Sequence, residues 1–220
     1  LAAHSRHAAI VESQLALSKP LKKQLWQRIV RAKIENQAHV LSLLGYPGKD
    51  YLLNYAKAVT SGDTTGREAV AASLYFKRYL PEGTRREGVY SSALDYGYAI
   101  VRAGIARSAV AGGWLVSQGL HHDNDLNAFN LVDDLIEPFR PLVDLLVATI
   151  KPDGTLCPSE KKKLVSIFEY SVEITGKEYS LQTAIEMELD SLKRAVLEKD
   201  ASLFATPTIV SLKIRDGERK

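Results

Sequence analysis

The chain has 220 residues, 45% of them hydrophobic, which is enough to bury a full core as one helical domain and excludes a disordered chain. Its longest apolar stretches, such as Ala109 to Val116, are broken by Gly112 and Gly113, which argues against a membrane span, and the opening LAAHSRHAAI does not read as a signal peptide. A lone Cys157 excludes an internal disulfide and a multi-cysteine zinc site and fits a reducing, cytoplasmic setting. The net charge of +3 says little, but its distribution is uneven. Residues 1–120 hold 16 Lys/Arg against 8 Asp/Glu, whereas residues 121–150 hold one Arg against six Asp/Glu, so an acidic island follows a basic stretch.

From Pro20 to Leu44 the residues Leu21, Leu25, Ile29, Ile34, Leu41 and Leu44 recur near multiples of 3.6, with Ser18 placed to cap and Gly45 to end a long helix. A Tyr46-Pro47-Gly48 turn leads to a second helix over about Asp50 to Val59. A loop of turn formers at 61–66 then precedes a third, from about Arg67 to Leu80. Residues 89–119 form another helical stretch whose Ala99, Ala103, Ala106, Ala109 and Ala111 predict a buried, closely packed helix. After the polar loop GLHHDNDLN comes an apolar stripe of Val132, Leu135, Phe139, Val143, Leu146 and Ile150, in which Pro138 and Pro141 must kink or restart the helix. Two amphipathic helices, near Pro158 to Glu173 and Leu181 to Glu198, precede a tail whose β-branched Thr208 to Ile214 can be extended. No hairpin is evident, and the class is mainly α. The expected division is a linker and short helix over 1–20, a helical unit over 21–205 and a tail over 206–220.

Asp134 and Glu137 lie three apart, a spacing that on a helix puts two carboxylates near one face where they can share a cation. His122, just upstream, adds an imidazole of the kind that joins carboxylates around a divalent metal. Glu68 shares a helix face with Ala72 and Tyr75, so it needs a partner on burial: a metal, or an arginine such as Arg78, Arg85 or Arg86. His122-Asp123 with His39 and Asp144 also fits, superficially, a His-Asp metallophosphohydrolase, and a non-catalytic helical scaffold that binds DNA or a partner is the third reading.

The segment NAFNLVDDLIEPFRPLVD at 127–144, preceded by GLHH at 119–122, closely resembles the signature of the CRISPR-associated spacer integrases, the Cas-one endonuclease family, in the form found with single-effector type II systems. GREAVAASLYF at 66–76 resembles the family's glutamate-bearing helix. SALDYGYAIVRAGIARS at 92–108 resembles its central helix, and QLWQRIVRAKIENQAHVL at 24–41 its first long helix. The resemblance implies a mainly α catalytic domain with metal ligands at Glu68, His122 (or His121, if the loop shifts) and Glu137. It implies further that Asp134 is an adjacent carboxylate and that Tyr96 lies close to the scissile DNA. Ser91 and Asp95 depart from the family's asparagine-rich text there.

The resemblance further implies Mg²⁺ or Mn²⁺ as cofactor, and insertion of prespacer DNA into a repeat array by attack of a 3′ hydroxyl. Its implied partners are double-stranded DNA, a second copy in a homodimer, a small ferredoxin-like adaptation subunit and the type II effector complex, in a prokaryotic cytoplasm. The family's β-rich N-terminal domain is absent from this sequence and is expected to precede it. Lys22, Lys23, Arg28, Arg31 and Lys33 are candidates for holding DNA phosphates.

Overall fold

The computed structural model describes residues 2–80, 89–153 and 155–214. Its axis is α2 (Lys19–Leu43), opened by Ser18, whose hydroxyl accepts from Leu21 N, with Pro20 in the first turn and Gly45 at φ +73° just past the end. At 1.5 Å per residue this helix runs about 37 Å, and Leu25, Ile29, Val30, Ile34, Ala38, Val40 and Leu41 along it are fully buried. Against it pack α3 (Lys49–Lys57), α4 (Arg67–Tyr79), α6 (Asn130–Leu135) and α7 (Arg140–Ile150), while α5 (Val89–Ala111) packs on α6 and α7 and carries α8 (Pro158–Val165) and α9 (Leu181–Glu198). Among the described residues no helix is long and apolar enough to cross a membrane.

The chain before α2 is helical. Residues Ala2–Leu15 form α1, and the buried Gln14 donates to the carbonyls of Leu115 and Gln118 while accepting from Leu115 N. That exchange ties α1 to the segment leaving α5. The helix α5 itself stops at Ala111, ahead of the expected end at 119, because Gly112-Gly113 turns the chain with Gly113 at φ +86°. It is also less enclosed than its small residues suggest: Ala99, Ala103 and Ala111 are exposed, and the inward face is Ala93, Leu94, Tyr98, Val101, Ile105 and Ala109. The close approach falls on glycine instead, since a Cβ at Gly97 would lie 2.4 Å from Val143 of α7.

Two expectations near the C-terminus are corrected. The helix begun at Pro158 gives way to a 3₁₀ turn over Ser166–Glu169, and residues 171–180 form a hairpin: β1 (Ser171–Ile174) pairs antiparallel with β2 (Lys177–Ser180), Ser171 opposite Ser180. Thr175 and Gly176, both at positive φ, make its two-residue turn, a geometry that a Thr-Gly pair advertises more weakly than Asn-Gly. The tail, expected to be extended, is so, and it adds to the hairpin through bridges of Thr208 with Glu173 and Ile214 with Tyr170.

Asn36, one turn beyond Lys33 on α2, holds the tail and the centre of the fold together. Its amide donates to the carbonyls of Pro138 (2.8 Å) and Pro207 (3.0 Å) and accepts from Ile209 N (3.0 Å). Replacing it by alanine leaves three buried backbone groups unpaired. Asn36→Ala is therefore expected to lower the free energy of unfolding by about 2–3 kcal/mol, read from urea denaturation.

Candidate active site

Glu68 sits in the first turn of α4, where the Asp63 carboxylate takes the free amides of Arg67 (2.8 Å) and Glu68 (3.0 Å) and fixes the start of the helix. Glu137 reaches the same place from another direction. Pro138 denies α6 the next turn, so the helix ends at Leu135 and residues Glu137–Phe139 form a 3₁₀ turn before α7. Asn36 grips the carbonyl of Pro138, which sets that turn against α2.

Between the two carboxylates lies Lys33 of α2. Its ammonium is 2.6 Å from Glu68 Oε1 and 2.5 Å from Glu137 Oε2, and Glu137 Oε1 accepts from Arg140 Nε at 2.7 Å. Burial opposes the charges of Lys33, Glu137 and Arg140. For Glu137, Lys33 and Arg140 outweigh it and hold the carboxyl at about 2. For Lys33, burial pulls down while Glu137 and Glu68 pull harder the other way, so its ammonium is held above the ordinary lysine range.

Among the described residues the partner of Glu68 is Lys33; of the arginines expected there, Arg85 and Arg86 lie outside those residues. Lys33 in turn leaves the set of phosphate-binding candidates, as its side chain is only 13% exposed. Lys22 is also engaged, donating to Gly119 O, and Arg28 donates to Phe204 O, whereas Lys23 and Arg31 stay exposed.

Asp134 does not share a cation with Glu137. It is fully buried and both oxygens are spent: Oδ2 accepts from Leu120 N (2.6 Å) and His121 N (3.0 Å), Oδ1 from His122 N (3.1 Å) and from His122 Nδ1 (2.7 Å). One carboxylate thereby shapes the whole histidine loop. A side chain at Gly119 would put its Cβ 2.2 Å from His122 O, so only glycine lets the loop close this tightly.

Because a carboxylate can only accept, His122 Nδ1 must donate, which leaves Nε2 as the free ring nitrogen. The Asp134 hydrogen bond lifts the His122 imidazole above its ordinary value against the pull of burial. The neighbouring His121 ring lies flat on the buried Trp26, centroids 4.2 Å apart, and is held by stacking.

Glu68 and Glu137 are the oxygen donors here that could hold a divalent ion, and the Lys33 ammonium fills the space between them. With Lys33 in place, the third donor is not part of the cluster: among the described residues no three His, Cys, Asp or Glu side chains converge closely enough to hold a metal. The same holds for His39, Asp123 and Asp144. Asp123 is exposed on the loop, and Asp144 is buried among tyrosines, accepting from Tyr75 Oη (2.9 Å) and Tyr98 Oη.

Tyr96 is half-buried on α5 with the Lys161 ammonium 6.0 Å over its ring. Two residues on, Tyr98 is the tyrosine that touches the carboxylate cluster, through Arg140 stacked on its ring at 4.7 Å. Sequence reasoning missed Lys33, Arg140 and Tyr98 as members of this site. The EPFR spacing of Glu137 and Arg140 was a visible signal, as charges three apart meet within a turn; Lys33 carried none.

Residues 84–168 match the family model described as CRISPR associated protein Cas1. The chain is 41% identical over 219 residues to the CRISPR-associated endonuclease Cas1 of Neisseria meningitidis serogroup C (strain 8013), spanning 96% of this chain and 72% of that protein. In fold it resembles a casposase bound to integration product, with TM-score 0.74 at 20% identity over 89% of this chain and 72% of the other. It resembles likewise a chain of a partial Cas6-RT-Cas1–Cas2 complex, with TM-score 0.70 at 18% identity over 92% and 73%.

Two titrations follow from the cluster. The depressed Glu137 carboxyl stabilises the fold above its ordinary value of 4.5, and that contribution drains away as pH falls from there toward about 2. A Glu137→Gln variant should accordingly lose less Tm than the parent across this window in scanning calorimetry. Asp134→Ala should lower the His122 pKa, since it removes the largest influence raising it, as followed by NMR of the ring protons.

Proposed function

The chain belongs to the Cas1 family of CRISPR associated proteins, and on that premise we propose that it is the catalytic part of a divalent-metal-dependent DNA endonuclease and integrase that inserts prespacer DNA into a repeat array. The observation that supports this most is the meeting of Glu68 and Glu137, from separate elements, across one cation, with the His122 ring held separately by Asp134. The endonuclease named among its relatives and the integration product held by its structural neighbour are consistent with that chemistry.

Glu68 and Glu137 would hold the ion, Mg²⁺ or Mn²⁺, with His122 Nε2 as the third donor, and the ion supplies charge neutralisation on the phosphate under attack. The reaction is a transesterification. A 3′ hydroxyl of the incoming DNA forms a new P–O bond, the old bond to the target strand's O3′ breaks, and the hydroxyl proton ends on the departing oxygen. Water in place of the hydroxyl gives strand cleavage.

The residues of the chain set this up in three ways. Glu137 stays ionised through the neutral range because Lys33 and Arg140 flank it. Asp134 keeps the His122 ring in one tautomer and one orientation, so its outward nitrogen is available without a rotational search. The exposed Lys23 and Arg31 on α2 offer charge to the DNA backbone, and Tyr96 on α5 is a candidate contact near the scissile bond. A second copy of the chain and a small second subunit are proposed partners, supported by the fold shared with a Cas1–Cas2 assembly.

The test is strand transfer and disintegration on a branched, half-integrated DNA with Mn²⁺. Glu68→Gln, His122→Ala and Glu137→Gln should each lose at least about 100-fold in rate, with Asp123→Ala near the parent. Unaltered DNA binding with no turnover in the parent protein would instead make the domain a binding scaffold. Selective loss in Asp123→Ala would favour phosphohydrolase chemistry.

A further inference from the structure

Among the described residues the carboxylate cluster is charge-balanced: Lys33 and Arg140 supply two positive charges against the two of Glu68 and Glu137. Such a site does not require a divalent ion for its burial. Lys33 Nζ contacts both carboxylates, so any ion bridging Glu68 and Glu137 must take the space that ammonium fills. Arg140 has a different place. It touches the outer oxygen of Glu137 and lies over Tyr98, so it can stay where it is.

We propose that Lys33 is a resident counter-cation of the active site, which keeps Glu68 and Glu137 assembled when no divalent ion is bound and is displaced when one binds. This rests on the metal-dependent reading above. The open side of the cluster is that of Glu68, whose side chain is 28% exposed against 7% for Glu137, so the departing ammonium leaves past Glu68. Two consequences oppose each other. The site is preassembled, which favours binding, but the binding-competent arrangement is populated only when the ammonium moves out, which weakens apparent affinity in proportion. Lys33 thereby sets a threshold for loading the ion, and the methylene stem of the lysine supplies the reach for an exchange that a shorter or rigid cation would not permit.

The measurement is Mn²⁺ affinity by calorimetry, together with Tm with and without MnCl₂, for the parent protein, Lys33→Met, Lys33→Gln and Glu68→Gln. Both Lys33 variants should bind Mn²⁺ about tenfold tighter or more, because the competing charge at contact distance is gone. They should also melt lower than the parent without Mn²⁺ and recover with it, so that a variant folded only in Mn²⁺ supports the proposal as well. Parent binding that Glu68→Gln weakens, with no gain in either Lys33 variant, would overturn the role of Lys33 and leave the metal site standing. Variants that stay unfolded even with Mn²⁺ would overturn it too, since no divalent ion then replaces the lysine. No Mn²⁺ binding in any of the four proteins would sink both this proposal and the metal-dependent reading beneath it.

Discussion

Two carboxylates drawn into one nearly buried pocket repel each other and lose their water, and neither cost is recovered unless positive charge stands between them. Lys33 supplies that charge, and much of the structure serves to deliver its two carboxylate partners to it, with the arginine that flanks one of them. The capping of α4 by Asp63 brings Glu68, the break at Pro138 brings Glu137, and the restart of α7 brings Arg140 within the next turn. Removing one member of such a group leaves an uncompensated charge and costs about 3–5 kcal/mol. The long helix α2 is the common support. From it Lys22 holds the Gly119 carbonyl, Trp26 carries the His121 ring, Lys33 joins the acids and Asn36 anchors Pro138.

Asp134 and Glu137 show how little spacing alone decides. On an unbroken helix they would face the same way and compete for one cation. The helix ends between them, so Asp134 turns into the loop at 120–122, while Glu137 turns toward Lys33. The first is an organiser of backbone and imidazole; the second is the acceptor that Lys33 and Arg140 share. Their different tasks come from a single proline.

Behind Arg140 lies a second buried polar group. Asp144 accepts from the hydroxyls of Tyr75 and Tyr98, and its own carbonyl accepts from Tyr79 at 2.7 Å. Burial, then Asp144, pushes the Tyr75 phenol well above its ordinary range, so it acts as a donor and stays neutral. Since Tyr98 also carries the Arg140 guanidinium on its face, the orientation of the site's outer cation is tied to α5 and α7 by a satisfied hydrogen-bond network.

The sequence by itself determined the helices of strong period. The ends of α2 and α9 fall where Ser18, Gly45, Ser180 and the last apolar residues put them, because capping and amphipathic repeat are local properties. It determined as well the resemblance of 127–144 to one family, and with it Glu68, Glu137 and His122 as the residues to examine. It did not reveal the Thr175-Gly176 hairpin, whose pairing depends on the returning tail, nor the exposed alanines of α5. Nor could it place Lys33. In a run of basic residues at 22–33 all look alike, and only the tertiary structure decided that one points inward between two acids while Lys23 and Arg31 stay in water, because that choice depends on what other helices bring to meet the side chain.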